Sequence, residues 1–279
     1  MNLDEQRKKW CDTVAIWLRT QLQSVELDKS EIELRFGVYA NASKMHTDNS
    51  DHNSADADVG AFVSGVDVRA WQRVRTMFAC MDRAAHAKPP ESTLEVVSVY
   101  YDDGNSSSSK GNVWRKIERA DGTVTRERKT KISQQDYVFR EQQTNRLIGA
   151  RLSHSLETPL GDNETCDDAL LEPSLVRVRA RTSYWHKMWR IDLTLVQQGS
   201  NRKTAASAPA LYEIEIELLP QLIDWSKHDF HYLALSLLLK IKEISESLTD
   251  AVHTVATALP QIVYQKTHNH VNACDNNNK

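Results

Sequence analysis

The chain has 279 residues, 26% of them charged and 40% hydrophobic, with a net charge of -3. That is enough to bury a sizeable core, and the near balance of charge excludes nucleic-acid binding through overall positive charge, so any RNA contact must come from a local basic surface. No stretch is long and apolar enough to span a membrane, and Asp4, Glu5, Arg7, Lys8 and Lys9 stand where a signal peptide needs an apolar run.

Trp10, Val14, Trp17, Leu18 and Leu22 recur at helical spacing, which predicts an amphipathic N-terminal helix over about 4–25. Glu31-Ile32-Glu33-Leu34-Arg35-Phe36-Gly37 then reads as a strand with acids at alternate positions. Residues 41–60 form a polar loop without the Gly and closing Glu of a calcium loop. Asp67 caps a second helix through Trp71, Val74, Met77, Phe78 and Met81, which Pro89-Pro90 stops. From there the pattern is strands: 94–101, then 113–119 and 123–131 flanking the hairpin turn Asp121-Gly122, then 147–156, 175–184 and 188–197. A Gly/Ser/Ala/Pro linker over 198–210 leads to a second acidic strand, Tyr212-Glu213-Ile214-Glu215-Ile216-Glu217-Leu218. A long apolar helix over about 222–248 follows, and an Asn-rich tail over 266–279 is expected to be disordered. The chain reads as a single α+β domain over 1–265, an antiparallel sheet closed into a barrel with helices outside.

The chemistry lies in the alternation. A strand's side chains have a period of two, so each acidic segment places its carboxylates on one face, roughly 7 Å apart. Alone, either is most simply a half-solvated antiparallel strand. Two further strands carry the complementary charge: Arg177, Arg179 and Arg181 share one face, as do Arg190, Asp192 and Thr194, with a tight connection between. Guanidinium forks match phosphate oxygens, and clustered carboxylates suit an oxygen-ligated divalent cation. The combination describes a closed polar interior lined with both charges. The apolar alternates Ile32, Leu34, Phe36, Val178, Ile191, Leu193, Ile214 and Ile216 then face outward, where the two end helices must cover them.

Six segments in order carry a resemblance. They are Glu31-Ile-Glu-Leu-Arg-Phe-Gly, Arg115 before Asp121-Gly122 with Lys129 after it, Arg151-Leu-Ser-His-Ser-Leu-Glu157-Thr-Pro, Arg177-Val-Arg-Ala-Arg-Thr-Ser-Tyr, Arg190-Ile-Asp-Leu-Thr and Glu213-Ile-Glu-Ile-Glu. This set, spanning about 30–220, resembles the metal-dependent RNA 5′-triphosphatases of fungal and protozoan mRNA capping, among triphosphate tunnel metalloenzymes. The lean N-terminus is most similar to protozoan members, including trypanosomatid ones. The resemblance implies a closed eight-stranded antiparallel β-barrel with a polar charged interior and helices packed outside. It implies Glu31, Glu33 and Glu217 as direct metal ligands, with Glu215 and Asp192 holding the metal's waters. Arg115, Arg179, Arg181 and Lys129 would bind the substrate phosphates, Lys129, Arg177 and Arg190 would line the tunnel, and Glu157 would orient the attacking water. Glu213, Thr194 and Arg151 would support them. Arg179 stands where the fungal motif has Lys, and Arg126, Arg128 and Lys131 compete with Lys129 for its place. Also implied are Mg²⁺ or Mn²⁺ as cofactor, the 5′-triphosphate end of nascent RNA as substrate, the capping guanylyltransferase as partner, and a nuclear location.

Other mechanisms lack their motifs. The four cysteines, Cys11, Cys80, Cys166 and Cys274, have no metal spacing, which indicates free thiols in a reducing compartment. A cysteine phosphatase needs Arg six places after its nucleophile, where Trp17, His86 and Glu172 stand instead. There is no P-loop, HExxH or Gly-x-Ser-x-Gly. His228 and His231 read as packing or surface residues. The glycosylation patterns at Asn41, Asn105 and Asn163 read as chance matches. An inorganic tripolyphosphatase or nucleoside triphosphatase on the same scaffold, and a non-catalytic polyphosphate or nucleotide binder, are the alternatives; retention of Glu31, Glu33, Glu215 and Glu217 speaks against the binder.

Overall fold

The computed structural model describes residues 3–23, 27–39, 61–81, 88–101, 112–140, 147–161, 172–248 and 261–269. In chain order its elements are α1 (Leu3–Gln23), β1 (Ser30–Tyr39), β2 (Phe62–Ser64), α2 (Val68–Cys80), β3 (Glu91–Tyr101), β4 (Asn112–Arg119), β5 (Val124–Arg140) and β6 (Leu147–Pro159). They continue with β7 (Leu175–His186), β8 (Trp189–Gly199), α3 (Arg202–Ser207), β9 (Leu211–Leu218), α4 (Phe230–Leu248) and β10 (Gln261–Asn269). Eight strands close on themselves in the order β1-β9-β8-β7-β3-β4-β5-β6 and back to β1. Every pairing is antiparallel, so the ring is the expected barrel.

Period-two alternation turns this barrel inside out. The apolar alternates Ile32, Leu34, Phe36, Ile191, Leu193, Ile214 and Ile216 are fully buried, yet against helices and not against the barrel's interior. Trp10, Val14 and Leu18 of α1, Val74 and Phe78 of α2, and Leu237, Ile241 and Ile244 of α4 share that cluster. Each such side chain stabilises the fold by about 1.5–3 kcal/mol on burial, so this outer layer is the protein's main core. Val178 differs: it is only half-buried, on the wall where the short α3 packs instead. The interior is charged but not uniformly so. Val97, Val99 and Ile117, with Val113 and Leu175, form a separate apolar cluster on the same strand parities as Glu95, Arg115 and Arg177, making one wall of the tunnel apolar.

Several boundaries depart from expectation. The linker over 198–210 contains α3, started by a capping box in which the Asn201 side chain accepts from the Thr204 backbone. The strand expected to stop at Lys131 runs to Arg140, bulged between Lys131 and Ser133. The helix expected from Leu222 starts only at Phe230, after a 3₁₀ turn at Pro220–Leu222. The delay is local: Asp224 binds Ser226 within a turn, and Asp229 is the true cap, accepting from the Tyr232 backbone N–H at 2.8 Å. The expected tail boundary at 265/266 falls inside β10, which pairs with β5 over Ser133–Arg140. That half of β5 extends beyond its pairing with β4, leaving an edge for another strand to occupy. The loop over 41–60, Asn41, Asn105, Asn163, Cys166, Cys274 and 270–279 lie outside the described residues. At the hairpin after β4, Gly122 takes φ 86°, open to glycine without strain. Gly37 lets β2 dock on β1, since a Cβ there would stand 2.3 Å from the Val63 carbonyl oxygen.

Candidate active site

Strand register assembles the site. On β1 and β9, Glu33 stands opposite Glu217 and Arg35 opposite Glu215. Across β9 and β8, Glu217 faces Arg190, Glu215 faces Asp192 and Glu213 faces Thr194. Thr194 then faces Arg181 on β7, and Arg179 faces Glu95 on β3. Arg115 faces Glu127 on β5, Lys129 faces Glu157 on β6, and β6 returns to β1 with Ser155 opposite Glu31. Thus every residue expected in the site lies on the inner parity of a ring strand.

Ion pairs knit the ring across the interior. Lys129 bonds Glu31 and lies 3.2 Å from Glu157 and 3.8 Å from Glu33. Arg115 binds both Glu127 and Glu157. Arg35 bridges Glu33 at 2.8 Å and Glu215 at 2.7 Å. Arg181 reaches Asp192 at 3.0 Å and Glu215 at 3.8 Å, while Arg190 holds Asp192 at 3.1 Å and Glu217. Arg177 pairs with Glu213 at 2.8 Å and Arg179 with Glu95 at 2.7 Å. Parity resolves the choice among Arg126, Arg128, Lys129 and Lys131: Arg126 and Arg128 take the outer face, and Lys131 lies further along the interior. Arg151 is inside but apart from the acids of β1 and β9, gripped by Asp136 at 2.7 Å with its guanidinium 4.6 Å from the Phe62 ring centre.

The electrostatics show which charges are short of partners. At Glu217, burial pushes the carboxyl up against the pull of Arg190, and Glu31, Asp192 and Glu33 push it further, to about 8. At Glu215, burial works against the charge, but Arg35, Arg181, Arg179 and Arg177 outweigh it and hold the carboxyl well below its usual range. Burial opposes the charge of Lys129 too, and Glu31, Glu33 and Glu157 overcome it. Glu157 stays an anion: burial works against it, and Lys129 and Arg115 lower its pKa nonetheless. Arg179 is brought down to about 10 by burial and by Arg181 beside it.

Several buried polar atoms have no hydrogen-bond partner within the protein: Nε of Arg115, Arg177, Arg179 and Arg181, Oδ1 of Asp192 and Oγ1 of Thr194. Buried donors and acceptors are seldom left so, and these residues all lie on the inner parity of the ring strands. The donors want an anion with many acceptor oxygens. The crowding of Glu31, Glu33, Asp192 and Glu217 fits a divalent cation, although the side chains as they stand form no ready cage of three or more Asp, Glu, His or Cys among the described residues. Arg35, Glu127, Glu95 and Asp136 are charged interior residues that escaped sequence reasoning. Arg35 and Glu127 continue the parity of Glu33 and Lys129, a signal that was present. Glu95 sits alone among apolar residues, and only the β3–β7 pairing shows its role. His228 and His231 show packing and surface contacts: the His228 ring packs tilted against Tyr232, and His231 lies 3.1 Å from Asp12.

A family model described as mRNA capping enzyme, beta chain, matches residues 120–258. No curated protein matches the chain by sequence. Among solved structures, the RNA triphosphatase Pct1 of S. pombe is similar in fold, with 17% identity, a TM-score of 0.58, and 87% of this chain and 93% of that chain covered. Pct1 in complex with the Spt5 CTD aligns with a TM-score of 0.60, 17% identity and coverage of 87% and 94%. The RNA triphosphatase domain of a trifunctional mimivirus mRNA capping enzyme shares 13% identity at a TM-score of 0.51, covering 86% of this chain and 97% of that one. With the tunnel, its inward acids and its arginine strand in view, the chain belongs to the family of the mRNA capping enzyme beta chain, the RNA triphosphatases of the triphosphate tunnel fold.

Proposed function

We propose that this triphosphatase removes the γ-phosphate from 5′-triphosphate RNA with a divalent cation, Mg²⁺ or Mn²⁺, held by Glu31, Glu33 and Glu217, with Glu215 and Asp192 placed for the cation's waters. The observation that carries this is the set of buried, unpartnered guanidinium Nε atoms of Arg115, Arg179 and Arg181, residues that share the inner face of the barrel with those carboxylates. Phosphoryl transfer asks for in-line positioning and for neutralisation of three equatorial oxygens, with little covalent work by the protein. The metal supplies charge neutralisation at the phosphates when bound. Arg115, Arg179 and Arg181 supply bidentate donors from the facing walls, where exclusion of water strengthens each contact. Lys129, Arg177 and Arg190 hold the remaining phosphate oxygens. Glu157, kept anionic between Lys129 and Arg115, is an acceptor for the attacking water.

A 5′-diphosphate RNA end is the substrate a capping guanylyltransferase needs, which makes that enzyme the partner and the nucleus the place of action. No described helix is long and apolar enough to cross a membrane. The test is phosphate release from triphosphate-ended RNA and from inorganic tripolyphosphate, each titrated with Mg²⁺ and Mn²⁺. Metal-dependent release from RNA, leaving a diphosphate end, is expected. Release from tripolyphosphate alone would move the assignment to an inorganic tripolyphosphatase, and release that ignores metal would remove the carboxylate roles.

A further inference from the structure

We infer that the RNA chain leaves the tunnel by one mouth only, where Arg35, Lys131 and Arg151 stand on neighbouring strands and take its first phosphodiesters. This rests on the RNA 5′-triphosphatase reading above. The interior is polarised along its length. β1 runs from Glu31 towards Gly37, and antiparallel β6 places Ser155, with Glu157 beyond it, near the Glu31 end and Arg151 directly opposite Arg35. On β5, Lys129 faces Glu157 and Asp136 faces Arg151, so β5 has the same polarity as β1. One end of this wall therefore holds the acids Glu31, Glu127 and Glu157 with the cations Lys129 and Arg115; the other holds the cations Arg35, Lys131 and Arg151 with the acid Asp136. On β9, Glu217 lies at the acidic end opposite Glu33, while Glu215 faces Arg35.

Two guanidiniums directly opposite on adjacent strands repel, and the fold tolerates Arg35 beside Arg151 only because each has an acid. Asp136 grips Arg151 with contacts of 2.7 and 3.0 Å, and Glu33 and Glu215 take Arg35. Lys131 has a weaker companion, the side-chain carbonyl of Gln134. Burial lowers the Lys131 ammonium's pKa, the charges of Arg151 and Arg35 also bear on it, and Asp136 opposes them. Of the mouth's three cations, Lys131 is thus the one without an acid of its own among the described residues. Across the interior, Val99 pairs in register with Leu175 and Val97 with Arg177, giving an apolar wall for ribose and base. A phosphodiester stays anionic at every working pH, so the polymer is drawn to the basic mouth and repelled by the acidic one. The γ-phosphate then leads inward, toward the carboxylates.

The test compares KM for tripolyphosphate, for a triphosphate-ended dinucleotide and for a triphosphate-ended RNA of about ten nucleotides, at low and moderate salt. Lys131→Glu should raise KM for the longer RNA about tenfold, reduce its salt dependence by about one counterion, and leave tripolyphosphate kinetics within about twofold. Lys131→Gln, which removes the charge but keeps a polar side chain only one atom shorter, should show the same pattern at smaller amplitude and stands in if the Glu variant fails to fold. Equal losses on tripolyphosphate and RNA, or no loss on either, would overturn the exit assignment while leaving the triphosphatase intact. A wild-type protein that releases no phosphate from any triphosphate-ended RNA would instead overturn the activity itself, and the exit with it.

Discussion

Glu33 and Glu217 stand directly opposite one another on β1 and β9 inside the barrel, Glu33 buried and Glu217 partly so. Like charges so placed destabilise a sheet. Lys129 and Arg35 attend Glu33, and Arg190 attends Glu217, yet the Glu217 carboxyl is still pushed up to about 8 by burial and by Glu31, Asp192 and Glu33. A site that crowds acids in this way gives up folding stability for a cation to recover.

Replacing Glu217 by Gln should therefore abolish metal-dependent phosphate release, a fall of at least about 10³-fold, while the metal-free Tm holds or rises. Thermal melts with and without Mn²⁺ check both parts: the wild type should gain Tm on adding metal and the variant should not. Near-normal turnover of Glu217→Gln at saturating metal would remove the residue from the ligand set.

Arg181→Ala should cost on the order of 10²-fold or more in kcat, since its guanidinium is placed for charge that develops on the phosphoryl group. Arg179→Lys should keep most activity, because a Lys ammonium can still reach Glu95 and the cavity, whereas Arg179→Ala should not. Steady-state phosphate release on triphosphate-ended RNA separates the three. Equal activity of Arg179→Ala and Arg179→Lys would show that charge at 179 is dispensable.

His154, buried outside the barrel under α1, contacts Gln21 at 2.8 Å and Ser30 at 3.3 Å. Burial lowers its pKa from 6.5 to about 4, so the folded protein holds it neutral where the unfolded chain would take a proton. Its contribution is fully present above pH 6.5 and is lost as pH falls towards 4, to a limit of about 3 kcal/mol. Urea titrations at pH 7 and pH 5 should show His154→Gln losing less stability between them than the wild type does. Identical losses would place the acid sensitivity elsewhere.

A chain ending at Leu219 lacks α4 and should fail to fold, although α4 carries no predicted catalytic residue. Its absence strips cover from the outer face where Ile191, Leu193, Ile214 and Ile216 join the helices in one core. Sedimentation and far-UV circular dichroism of the truncated protein check this. A soluble, monomeric and active product would mean that these residues do not need the helix.

Which residues share a strand face was legible in the sequence, because the period of two is local and needs only the residues themselves. Glu31 with Glu33, Arg177 with Arg179 and Arg181, and Glu213 with Glu215 and Glu217 all lie together on the inner face as the alternation requires. So did the inversion of the barrel, since the apolar alternates had to be covered by the end helices. Which face meets which was decided only by tertiary pairing. Arg35 finds Glu215 because β1 pairs with β9, and Glu95 finds Arg179 because β3 pairs with β7, contacts that span 180 and 84 residues of sequence in turn and leave no local trace. The same holds for β10, whose place depends on an edge that β5 leaves beyond β4, and for the start of α4, where Asp229 rather than the apolar run sets the first turn. Local periodicity determines what a segment offers; the ring's register, fixed by closure of all eight strands at once, determines what each offered charge encounters.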